Sequence, residues 1–240
     1  MIPDSGGAHV SAQETAARRS ARRSVWLVGA ALLIVALAAA VSVDVTRTAY
    51  KVKSDEATYA AMTLSLAYDR DLSYQRRDLE RFWGIYQQGP EGIFLKKGKR
   101  LRIRVDLSPP FVHTTKYSDR RTDRLYFGKS MAYSLAAAPF VRVLNMNGFY
   151  VFHVLLVAGV ALCGYLFLEA TSDPIAALLS VLAFLGVSVV PIYGIFLMPD
   201  LFNFALVFIG YFFWLYKEVT TAGVRWLRGR TSDVIAIVLL

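Results

Sequence analysis

Val25-Trp-Leu-Val-Gly-Ala-Ala-Leu-Leu-Ile-Val-Ala-Leu-Ala-Ala-Ala-Val-Ser-Val43 is a run of nineteen residues without a charge. At about 1.5 Å of rise per residue, a helix of that length reaches across the hydrocarbon of a bilayer. Three further apolar runs follow: Phe149–Leu168, interrupted only by His153, then Ile175–Leu197, then the shorter Leu201–Tyr216. The chain has 240 residues, 55% of them hydrophobic, and a positive mean hydropathy. That apolar share exceeds an ordinary soluble domain's, and it is gathered into blocks. The expected fold is an all-α polytopic membrane protein with four to five transmembrane helices. Its large outer loop would hold interfacial helices and have room for a β-hairpin.

The flanks orient the spans. Arg18, Arg19, Arg22 and Arg23 precede the first run, which is too long for an ordinary signal sequence and lacks a convincing cleavage site after it. Cationic flanks stay inside, so the amino terminus is expected in the cytosol. Four spans return the chain to the cytosol after Tyr216, where Lys217, Arg225, Arg228 and Arg230 lie. The outer loop is itself net basic, but long loops cross regardless of charge. The expected order is a cytosolic basic tail (1–24), a first span (25–43), an outer loop (44–148), and spans at 149–168, 175–197 and 201–216. A cytosolic basic loop (217–233) follows. Val234–Leu240 is seven apolar residues, too few to cross, and reads as the start of a truncated fifth span. The chain is thus expected to be the amino-terminal part of a longer protein, in a membrane such as the bacterial inner membrane.

Within the outer loop, Ser54-Asp55-Glu56-Ala57-Thr58-Tyr59 opens a helix-compatible segment. Tyr59, Met62 and Leu66 make one apolar stripe, and Ser54 is placed to act as N-cap, predicting an amphipathic helix over 56–68 lying on the membrane surface. Arg100-Leu-Arg102-Ile-Arg104-Val alternates as a strand with one basic and one apolar face. Lys97-Gly98-Lys99 before it suits a hairpin turn, and Ser108-Pro109-Pro110 ends it. Met131–Leu144, apolar but short and carrying Pro139 and Arg142, reads as an interfacial or re-entrant helix.

The carboxylates come next. A partly desolvated acid at the membrane mouth can act as general base towards a hydroxyl, and can also help hold a divalent cation. Asp55 and Glu56 equally suit a helix amino terminus with no catalytic role. Asp200, in Met198-Pro199-Asp200, follows the third span on the face expected to hold Asp55. A lipid-phosphate donor needs cations near its phosphate. Lys129, in Tyr126-Phe-Gly-Lys129-Ser, and Arg142 are the candidates, whereas the arginines at 100, 102 and 104 suit anionic headgroups. His153 reads as a packed, hydrogen-bonded residue, and Cys163, the single cysteine, as a packing residue. No P-loop, dinucleotide fingerprint, HExxH or Cys/His metal spacing occurs.

One span followed by Asp-Glu, with Tyr three residues after the Glu, resembles the GT-C membrane glycosyltransferases. The likeness is to the branch that includes the dolichyl-phosphate-mannose protein mannosyltransferases and the bacterial aminoarabinose transferases of lipid A. Many bacterial members carry Gly-Asp-Glu-Pro-His-Tyr here; Asp55, Glu56 and Tyr59 match, while Ser54, Ala57 and Thr58 depart. Asp123-Arg-Leu-Tyr126, followed by Ser130–Phe140, is similar to the stretch where such proteins re-enter the membrane. Asp200 after Pro199 is similar to their acid in the second outer loop. The resemblance covers roughly residues 25–216.

It implies transfer of a sugar from a polyprenyl phosphate to a glycan, lipid or protein acceptor on the outer face, with inversion at the sugar carbon. Asp55 would be the base and Glu56 its neighbour. Asp200 would be a substrate or metal ligand. Beside these, Tyr59, Lys129 and Arg142 are expected to bind substrate, and Asp55 and Asp200 are candidate ligands for a magnesium or manganese ion. Membrane lipids are expected partners and nucleic acid is not. The competing expectation is a non-catalytic membrane subunit that docks a partner or anionic lipid through its basic outer loop. A transporter fits less well, because the spans hold almost no charge.

Overall fold

The computed structural model describes residues 5–45, 52–117, 124–220, 227 and 229–240. Asp123, Arg225 and Arg228 lie outside the described residues. The chain is mostly helical and divides into two compact units. One comprises the residues up to Val43 and those from Tyr150 onward; the other is Asp44–Phe149.

In the first unit, α1 (Ser5–Ser42) is a single helix of 38 residues. The basic tail expected before the span is therefore helical from Ser5 and continuous with it, as its Ala, Gln, Glu and Arg favour. Leu27, Ile34 and Val35 are exposed, and only 11% of the helix's most apolar window is buried. A soluble core helix would have that surface covered. Helix α5 (Asn147–Glu169) has 23 residues; its first turn belongs to the second unit. Among the described residues these two helices are long and apolar enough to cross a membrane.

The expected third span is not one helix. α6 (Pro174–Val187) ends, two residues bend, and α7 (Val190–Ile195) begins with Pro191 in its first turn. Pro191 has no N–H to give the carbonyl four residues back, and its ring disfavours helix in the residue before it. At the head of α6, Asp173 accepts from Ile175 N and Ala176 N. α8 (Asp200–Val219) and α9 (Arg230–Leu239) complete the unit, so the basic loop expected at 217–233 is helical at both ends. Val25, Val160, Tyr165, Val181, Leu201 and Ala205 form its core. Arg22 Nε reaches Glu169 Oε1 at 3.0 Å, and Arg18 donates to the carbonyls of Glu169 and Ser172. The basic end of α1 thus caps the carboxy-terminal end of α5. Buried His153 is hydrogen-bonded through Nδ1 to Gly194 O at 2.9 Å.

The second unit is built on α2 (Ser54–Tyr68), and here the amphipathic expectation fails. Glu56 through Ser65 are all buried, so α2 is an enclosed central helix. Its small residues (Ala57, Thr58, Ala60, Ala61, Thr63, Ser65) let neighbours approach from every side. Ser54 is not the N-cap. Lys53 takes that place without a side-chain bond, and Ser54 is the first helical residue, at φ +53°.

α4 (Ala132–Leu144) packs along α2 through Tyr133, Ser134, Ala137, Ala138 and Val141. α3 (Arg76–Tyr86) opens with a reciprocal cap between Gln75 and Asp78. Arg81 from α3 holds Asp69 through two bonds, at 2.6 and 3.2 Å.

The all-α expectation needs a further correction, because five short strands are present among the described residues. β1 (Ser73–Tyr74) and β2 (Leu95–Lys97) flank β5 (Leu125–Phe127) in an antiparallel sheet. β3 (Arg100–Val105) pairs antiparallel with β4 (Val112–Tyr117). The expected strand forms, but its partner follows it. The Ser108-Pro109-Pro110 segment sits in the hairpin loop, and Lys97-Gly98-Lys99 is not the turn. Prolines cannot extend a ladder, so the strands end there and the chain reverses.

Candidate functional site

The amino-terminal turn of α2 is where the sequence candidates meet. Ser54 N donates to Glu91 O at 2.8 Å, Lys53 Nζ lies 2.6 Å from Glu91 Oε2, and Phe94 N donates to Thr58 Oγ1 at 2.9 Å. Segment 91–94 is thereby tied to the helix start. Gly92, at φ +73°, turns in the left-handed region that glycine tolerates, and a Cβ there would lie 3.2 Å from Ser54 Cα. On the other side, Gly128 N donates to Phe94 O at 2.8 Å. A Cβ on Gly128 would stand 2.3 Å from the Phe94 ring, so only glycine lets the chain pass that ring.

Lys129 follows directly. Its Nζ donates to Asp55 Oδ2 at 2.7 Å and lies 5.5 Å from the centroid of Phe94. The hydrogen bond to Asp55 raises the Lys129 pKa above the ordinary lysine value, with the carboxylate's charge adding to it. Both side chains remain partly exposed, 28% for Lys129 and 43% for Asp55. This is an ion pair that an incoming group can reach.

The other candidates are placed as follows. Glu56 is buried beside Asp55. Tyr59 is buried and packs edge-on against Tyr133, with ring centroids 5.7 Å apart. Arg142 lies over the ring of Tyr68, at 4.9 Å, at the far end of α2. That is about 20 Å from Asp55, given thirteen residues of helical rise. Asp200 is exposed in the first turn of α8, in the other unit. Asp55 and Lys129 are therefore brought together, with Glu56 and Tyr59 behind them, and Arg142 is not.

Sequence reasoning missed Phe94, Thr58 and Glu91. Nothing in an isolated Phe or Thr signals such a role, although Gly128 beside Lys129 hints at close backbone packing. Among the described residues no group of three or more His, Cys, Asp or Glu is disposed to hold a metal ion. Lys129 is the cation paired with Asp55. Compared with protein families, curated proteins and solved structures, the chain matches none.

Proposed function

We propose that the chain is a membrane glycosyltransferase, or its amino-terminal portion, that takes a sugar from a polyprenyl phosphate. The observation that carries this reading is the Lys129–Asp55 contact, a cation and a carboxylate brought together from 74 positions apart. Ser54 adds support. Its φ of +53° is a conformation that favours glycine, the residue the resembled motif carries there.

In this account the donor's phosphate offers Lys129 a second anion. The ammonium turns from Asp55 to the phosphate, and the freed carboxylate faces the acceptor hydroxyl. The acceptor oxygen attacks the sugar's anomeric carbon from the face opposite the phosphate while Asp55 takes its proton. The carbon–oxygen bond to the phosphate breaks, and its electron pair leaves on the phosphate oxygen. Lys129 balances that charge. The configuration at the anomeric carbon inverts.

We place four to five spans in the membrane, with the amino terminus cytosolic. The support is the contact of Arg18 and Arg22 with the end of α5, which sets the basic flank of the first span and the carboxy-terminal end of the second at one level. An apolar groove of about 490 Å³, lined by residues including Val160, Gly164, Val181, Phe204 and Phe208, suits a prenyl chain. The test is transfer from polyprenyl-phosphate sugars by the full chain in liposomes. Asp55→Ala should insert normally and transfer nothing, and wild-type turnover in that variant refutes the reading.

A further inference from the structure

The β3–β4 hairpin has a construction that the reaction does not use. All the hairpin's described side chains are exposed except that of Asp106, which is half-buried. On one face Leu101 pairs with Lys116, Ile103 with Thr114, and Val105 with Val112. Leu101 is 52% exposed, Ile103 60%, Val105 73%, and Leu107 and Phe111 in the loop are bare as well. The other face carries Arg102, stacked on Tyr117, and Arg104, paired with Asp106. A two-stranded hairpin is marginal in water by itself, and an apolar face this open is unusual on a solvated surface.

Along the apolar face the polarity is graded. Val105 and Val112 stand at the loop end with Leu107 and Phe111 beyond them, while Lys116 stands at the base, about 15 Å away at strand rise, with Lys99 further on. Arg104 and His113, both against Asp106, hold the reverse face at the loop end. On the apolar face that is the order of a membrane interface: acyl chains, then anionic headgroups.

We propose that this hairpin docks on an anionic lipid leaflet, its tip among the upper acyl chains and its base lysines and Arg102 against lipid phosphates. The partner is identified by charge complementarity, basic residues around an apolar tip, in a chain that already has membrane-length helices. The inference is independent of the transferase reading.

The test uses the full chain carrying Cys163→Ala and Leu107→Cys, labelled at the new thiol with an environment-sensitive fluorophore. It is reconstituted in vesicles of phosphatidylcholine alone or mixed with phosphatidylglycerol. Emission should shift to the blue in the anionic vesicles. The shift should be lost in high salt or in Lys99→Gln/Arg102→Gln/Lys116→Gln. Emission from position 107 that is the same in both lipids overturns the proposal. So does a blue shift that follows protein density and ignores lipid charge, which would mean that a second copy covers the face.

Discussion

Lys129 Nζ donates to Asp55 Oδ2 at 2.7 Å, so the first turn of α2 and the segment after β5 are joined by a charged hydrogen bond. The bond is reachable from solvent, which distinguishes it from the enclosed contacts of the same helix. In the proposed reaction the ammonium must leave Asp55 for the donor phosphate. Lys129→Gln keeps a donor for Asp55 but removes the charge. The expected result is a rise in the donor's KM of about 10- to 100-fold, the scale of one charge-assisted hydrogen bond. Steady-state kinetics with varied donor checks this.

The same bond has a pH signature. The folded pKa of Lys129 lies above its unfolded value of 10.5, because the ammonium is bonded to Asp55. A raised folded pKa stabilises the fold fully below the unfolded value and ceases to do so as pH rises through the folded one. Melting curves of wild type and Lys129→Gln should run parallel below pH 10.5 and converge above it.

The Asp69–Arg81 pair should behave in the opposite direction. The Arg81 hydrogen bond holds the Asp69 pKa below 3.8, so the pair's contribution is present above that value and lost as pH falls through the folded pKa. Asp78 nearby is raised, chiefly by burial, so it works against the pair with a cost that builds as pH rises above 3.8 and persists at higher pH. Arg81→Ala should destabilise the chain by about 1.5–3 kcal/mol. Arg81→Lys should recover only part, because a lysine cannot make the two-pronged contact. Thermal unfolding across acid pH tests both.

Two positions near the site test its backbone. Gly128→Ala sets a methyl against the Phe94 ring and should lower stability by about 1–3 kcal/mol while displacing Lys129. Ser54→Gly removes a left-handed strain of about 1 kcal/mol and adds about 0.5 kcal/mol of unfolded-state entropy. The expected outcome is a neutral or slightly higher melting temperature, whereas Ser54→Val should lower it.

Several of these features were legible in the sequence, for physical reasons. The uncharged run at 25–43 can be little other than an apolar helix, and the alternation at 100–105 fixes a strand with two unlike faces. Asp55 and Lys129 stood out as charges where the chain meets apolar segments. The burial of α2 was hidden because Ala, Thr and Ser carry too weak a hydropathy signal to mark a face, yet they allow close packing. Within 175–197, hydropathy masked the break that Pro191 imposes. The hairpin's partner strand could not be read, since Val112-His-Thr-Thr-Lys-Tyr117 has little apolar alternation and is held by backbone bonds.

The pair's role is tested most directly by exchanging its charges. Asp55→Ala, Lys129→Ala and the double exchange Asp55→Lys/Lys129→Asp should be compared for melting temperature and for release of polyprenyl phosphate from the donor sugar. The account predicts that the exchange restores the stability lost in the single variants, while release stays at background in Asp55→Ala and in the exchanged protein. Release that recovers together with stability would mean that the two residues only brace the fold, and would contradict it.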